Sequence, residues 1–113
     1  MSNYSEKIEK LFKISFPSYR LKKEKYVFFN NTKLFFDFYV SEMRLLIEVQ
    51  GQQHYSFNKF FHTSKSDFEK QKVNDNSKAE WAADNGYKFL TINYDMIDKL
   101  DEKSFKKLII DSL

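Results

Sequence analysis

The sequence predicts an α/β domain in which a mixed β-sheet is packed between helices, and three observations carry that reading. An amphipathic helical period opens the chain. Three β-rich runs follow, joined by connections so short that the strands must form an antiparallel meander. A second helical stretch then separates them from one further strand and a closing helix. At 113 residues with 42% hydrophobic side chains, the chain suits a single domain over 1–113 with one modest core.

Taken in order, Ser5 is expected to cap a first helix in which Ile8, Leu11 and Phe12 recur at helical spacing. "SFPSY" ends it, because Pro17 disfavours helical backbone in the residue before it. "KYVFFN" (25–30) and "KLFFDFYV" (33–40) read as a hairpin around the polar turn "NNT". A second turn, "SEM", leads into the strand "RLLIEVQG" (44–51). Residues 52–66 show neither period and read as a loop rich in aromatic and basic side chains, a place where function tends to sit when a rigid scaffold holds it. From about Asp67 to Asn85 the pattern is helical, with Gly86 in the position that follows a helix end. "YKFLTINY" (87–94) is then a strand, and "SFKKLIIDSL" (104–113) a final helix.

Composition excludes several functional classes. The absence of cysteine argues against a disulfide scaffold or a thiolate zinc site, and two histidines are too few for an all-histidine structural site. No apolar run is long enough to span a bilayer, and "MSNYSEKIEK" lacks the charged-then-apolar order of a secretion signal, so the expectation is a cytoplasmic protein with no membrane partner. Lysine and arginine exceed the acids by 19 to 16, and the pI of about 9.0 permits a polyanionic partner. "YRLKKEKY" (19–26) gathers Arg20, Lys22, Lys23 and Lys25 between tyrosines. Basic side chains beside rings can neutralise phosphates and stack on bases, although a short charge run is more commonly a solvated face.

The acids are more informative. In "LFFDFYV", Leu34, Phe36, Phe38 and Val40 are expected to form one face, leaving Asp37 on the other. In "IEVQGQQHY", Ile47 and Val49 point one way, so Glu48 and Gln50 share the opposite face and the turn at Gly51 delivers His54 close by. The two strands are joined tightly enough for Asp37 to lie beside Glu48. Two carboxylates in a partly dry place repel each other unless a cation joins them, and the economical cation is Mg²⁺, which takes oxygen ligands from one or two carboxylates. On the helix over 67–85, Phe68, Ala79, Ala82 and Ala83 are expected to face inward, with Asp75 inside that arc and Gln71 and Lys78 on its border. Each acid has an ordinary alternative: Asp75 can pair locally with Lys78, Glu48 with Arg44, and a lone histidine such as His54 is more often structural. Together they favour a site.

These residues resemble nucleases of the PD-(D/E)XK superfamily, in particular the branch that contains very-short-patch-repair and phage homing-type endonucleases, sometimes called EDxHD. "FFDFYV" looks like that branch's strand with the first metal-binding aspartate, and "LIEVQGQQHY" like its second acidic strand. "DFEKQKVNDNSKAEWAADNGYKFLTI" resembles the helix and strand that follow, and "SEKIEKLF" the first helix with its water-positioning glutamate. The resemblance covers nearly the whole chain. It implies a restriction-endonuclease-like core and a Mg²⁺-dependent endodeoxyribonuclease, with Mn²⁺ as substitute, acting on DNA and, for a phage-encoded enzyme, in the host cytoplasm. It makes Asp37 and Glu48 the metal ligands, with the Val49 carbonyl as a further oxygen. It gives Gln50 and Glu6 (or Glu9, nearer the apolar border of the helix) the attacking water to orient, and His54 the role of general acid or base. Lys78, held by Asp75, would contact phosphate. Lys22, Lys23, Lys59, His62 and Lys65 would guide the nucleic acid. Gln50 departs from the superfamily pattern, which has a lysine there, and Lys78 or His54 is expected to supply the missing charge. The competing readings are a catalytically impaired nucleic-acid-binding module of the same fold, a subunit that needs a targeting partner or a second copy of itself, and a small structural adaptor.

Overall fold

The computed structural model describes residues 3–50 and 76–113. Helix α1 (Asn3–Ser15) is followed by strands β1 (Lys22–Phe29), β2 (Thr32–Val40) and β3 (Leu45–Gln50). A helix described over 76–84, here α2, precedes β4 (Lys88–Asn93), a one-turn α3 (Tyr94–Ile97) and α4 (Glu102–Ser112). Helix α1 buries Ile8 and Phe12, with Tyr4 and Leu11 packed against the same core. That stripe, at i, i+4, i+7 and i+8, begins one turn before Ile8. Asn3 and Tyr4 are therefore already helical, and Ser5 is inside the helix instead of capping it.

The sheet has the order β1-β2-β3-β4, with β1–β2 and β2–β3 antiparallel and β3–β4 parallel. The parallel pair needs a crossover, which α2 supplies. Asn30 and Asn31 form a two-residue hairpin turn between Phe29 and Thr32, with φ of 51° and 62°. Two successive left-handed residues are the backbone of a type I′ turn, which asparagine tolerates well. Strand β1 starts at Lys22, earlier than its side chains imply, because backbone pairing from Lys22↔Tyr39 onward sets its limit. As the first strand of the sheet it is an edge, where exposed lysines are at home.

Two cores flank the sheet. One joins Phe38, Val40, Leu45, Ile47 and Ile92 to α1, α3 and α4 through Ile8, Phe12, Ile97, Phe105 and Ile109. The other joins Leu34, Phe36 and Leu46 to Ala82 of α2, with Trp81, Tyr87 and Phe89 around it. The expected common face of Leu34, Phe36, Phe38 and Val40 is thus corrected. All four are buried, but the strand changes sides between Phe36 and Phe38. The pairing with β1 is irregular at the same point: between Lys25↔Phe36 and Lys23↔Phe38, Glu24 takes a φ of +61°. A non-glycine residue there marks a local distortion of the ladder.

On α2 the inward residues are Trp81 and Ala82, whereas Ala79 and Ala83 are exposed, contrary to expectation. Lys78, Trp81 and Ala82 follow the i, i+3, i+4 spacing of a buried stripe, and the indole buries far more area than two methyl groups. The helix ends where expected. Tyr87 N–H donates to Ala82 C=O and Gly86 N–H to Ala83 C=O, with Gly86 at a φ of +76°, a Schellman ending. Helix α4 begins two residues before the expected Ser104. The Asp101 carboxylate accepts from Ser104 N–H while the Ser104 hydroxyl accepts from Asp101 N–H, a reciprocal capping box. Among the described residues, no helix is long and apolar enough to cross a membrane.

Candidate active site

The distortion in β2 centres on Asp37. Strands β2 and β3 pair from Val40↔Leu45 to Phe38↔Ile47, while β3 stays paired with β4 as far as Gln50↔Asn93. One residue beyond the last β2–β3 pair, side chain replaces backbone: Val49 N–H donates to Asp37 Oδ2 at 2.8 Å. The N–H and C=O of a strand residue lie on the same edge of the strand. Val49 C=O therefore points into the same fork as the Asp37 carboxylate. The strand's change of side explains the geometry, because it lets Asp37 lie between two strands instead of standing on one face of the sheet.

Glu48 is the neighbour of Val49 on the other side. It alternates with Ile47 and Val49, which pack toward α1 and α4, so it faces α2 as expected. There it is only 4% exposed. Lys78 of α2 donates to Glu48 Oε1 at 3.0 Å. The alternative pairing foreseen for Glu48, with Arg44, is replaced by this one. Arg44 is occupied at the far end of α2, where its guanidinium donates to the carbonyls of Asn85 and Gly86 and lies over the Tyr87 ring. Asp75, the foreseen local partner of Lys78, lies outside the described residues.

The sheet surface beneath α2 changes character along its length. Near the start of β3 it is apolar, with Leu46 and Phe89. Beyond them the parallel register sets Thr91 beside Glu48 and Asn93 beside Gln50, all but Glu48 half-buried. Thr91 and Asn93 were not singled out in the sequence, although their alternation with Leu90 and Ile92 in "FLTIN" is the signal that places them on this face.

Other expected residues fall elsewhere. Glu6 is exposed. Glu9 is bound to Lys13 at 2.8 Å and Lys23 at 2.9 Å, and these bonds, Lys13's first, hold its carboxyl below the usual range. Lys23 thereby ties β1 to α1. Lys22 is exposed on the same strand. His54, Lys59, His62 and Lys65 lie outside the described residues. Among the described residues no three acids or histidines converge into a ready metal cage.

The arrangement offers two carboxylates, a main-chain carbonyl, an amide at Gln50 and an ammonium at Lys78, gathered where a sheet opens. All the candidate ligand atoms are oxygens, suited to a hard cation or to hydrogen-bonded water. Comparisons with family models, with curated proteins and with solved structures find no match to this chain.

Proposed function

We propose that the chain is a metal-dependent DNA endonuclease with a restriction-endonuclease-like core, of the PD-(D/E)XK type that its sequence resembles. The observation that carries the reading is the buried Glu48–Lys78 pair next to the Asp37–Val49 contact. A buried ion pair is a poor stabiliser, because desolvation offsets much of its attraction and apolar residues of similar size often serve as well. Two acids and a lysine where two strands part have a stronger rationale as chemistry.

The donor set fits Mg²⁺, which is held by one or two carboxylates and completes its shell with water and substrate phosphate, so a third acid is not required. Asp37 and Glu48 would hold it, with Val49 C=O as a further oxygen. When bound, the ion would supply a lowered pKa for water and neutralise charge developing on the phosphate oxygens. The chain's own groups do the rest. Asp37 is fixed by Val49 N–H, so its carboxylate is oriented before substrate arrives. Lys78 pairs with the buried Glu48 and presents an ammonium near the phosphate, in place of the lysine that the family pattern has at Gln50. The Gln50 amide orients water or phosphate by hydrogen bonds alone. Hydrolysis would proceed by in-line attack of water on a phosphodiester, with preorganised positive charge stabilising the transition state.

Gln50 favours a second reading, a catalytically impaired DNA-binding module of the same fold. Thermal unfolding in rising Mg²⁺ or Mn²⁺ tests for the metal site, and DNA cleavage in the same metals separates the two. The nuclease reading predicts a stability gain at millimolar metal that disappears in Asp37→Ala. DNA binding with no metal-dependent gain in the parent would favour the impaired module.

A further inference from the structure

Away from the fork, the β1–β2 hairpin presents a surface that the proposed chemistry leaves unused. Val27 and Phe29 turn inward toward α2, so the alternate residues of β1 face out. Tyr26 is 51% exposed and Phe28 76%, and the Tyr26 ring packs on Phe35 at 5.0 Å. Lys33, the partner of Phe28 in the register, places its ammonium 4.2 Å from the centre of the Tyr26 ring. Rings of this size standing in water beside a cation are poor edge-strand design unless something covers them.

The charge says what covers them. Of the chain's 19 basic and 16 acidic residues, residues 22–33 hold four lysines and one glutamate. The excess of three that gives the chain its net charge therefore lies entirely in this hairpin, and the remainder is balanced. A surface of exposed rings flanked by lysines meets the two needs of a nucleic-acid strand, stacking for its bases and neutralisation for its phosphates. A second copy of the chain would instead bring the same lysines against themselves.

We infer that the outer face of the β1–β2 hairpin is a binding site for unpaired or unstacked nucleotides, with Tyr26 and Phe28 as stacking rings and Lys33 as a phosphate contact. The inference extends the nuclease reading, since it takes DNA as the ligand. Asp37 lies four residues along β2 from Lys33, about 13 Å at strand spacing. The hairpin thus contacts DNA a few nucleotides from the bond to be cut and directs the enzyme to distorted or single-stranded positions.

The test is fluorescence anisotropy in EDTA, with a labelled single-stranded oligodeoxynucleotide and the matching perfect duplex. The parent should bind the single strand more tightly. Phe28→Ala and Tyr26→Ala should each weaken single-strand binding about 5- to 100-fold, with unchanged circular dichroism, because both side chains are exposed. Lys33→Gln should lower the slope of log affinity against log salt by about 0.7. Parent-level affinity in both ring variants would overturn the inference, as would ring variants that change only self-association in sedimentation. If the parent never cuts DNA but the ring variants still lose affinity, the hairpin site stands and the nuclease reading falls.

Discussion

Among single residues, Lys78 matters most. Its ammonium and the Glu48 carboxylate have side-chain exposures of only 11% and 6%, so the pair is not the solvated contact that helix spacing foresees between Lys78 and Asp75. Removing one member strands the other. Lys78→Ala should therefore lower unfolding free energy by about 3–5 kcal/mol, measured in urea. Glu48→Gln should cost less, because it discards the charge while keeping the shape. The double variant Glu48→Gln/Lys78→Met should lose less than the sum of the singles. A Lys78→Ala loss under about 1 kcal/mol would make the pair an ordinary surface bridge. Glu48 was legible in the sequence because an acid amid Leu46, Ile47 and Val49 breaks an apolar run. Its partner was not, since Lys78 reaches it across 30 positions and only the tertiary fold sets that distance.

At the scale of elements, local chemistry fixed most boundaries that sequence reading placed well. Pro17 follows the end of α1, the paired asparagines turn the hairpin, and Gly86 terminates α2. The misses within the sheet share one cause, long-range pairing. The start of β1 is set by its ladder with β2, and Phe36 and Phe38 part company because β2 must open around Asp37, which strict alternation cannot foresee. The end of α2 lends itself to a direct test. Gly86 sits at a φ of +76°, and a Cβ there would lie 3.4 Å from Arg44 Nη2. That guanidinium holds the carbonyls of Asn85 and Gly86, just past the end of the helix. Gly86→Ala should destabilise the fold by about 1–2 kcal/mol through the left-handed backbone alone, seen as a lower denaturant midpoint. An unchanged midpoint would mean that the helix ends by some other geometry.

At the scale of the whole molecule, sequence patterning was enough for the α/β class, the antiparallel meander and the added strand. The parallel partner β4 completes the picture. Its Thr91 and Asn93 extend the polar end of the sheet beside Glu48 and Gln50, and α2 carries Lys78 over the same end. The apolar cores hold the two halves of this surface in place, one through α1 and α4 and the other through Trp81 and Ala82. Among the described residues, acids, an amide and a lysine come together on a rigid frame at the fork between β2 and β3, where we propose that DNA is hydrolysed with a divalent ion. Cleavage of supercoiled, linear, mismatched and branched DNA in Mg²⁺ or Mn²⁺, by the parent and by Glu48→Gln side by side, tests it most directly. The account predicts metal-dependent strand scission by the parent and its loss in a Glu48→Gln variant that remains folded. Equal cleavage by the two proteins, or none by the parent on any of these substrates with either metal, would contradict it.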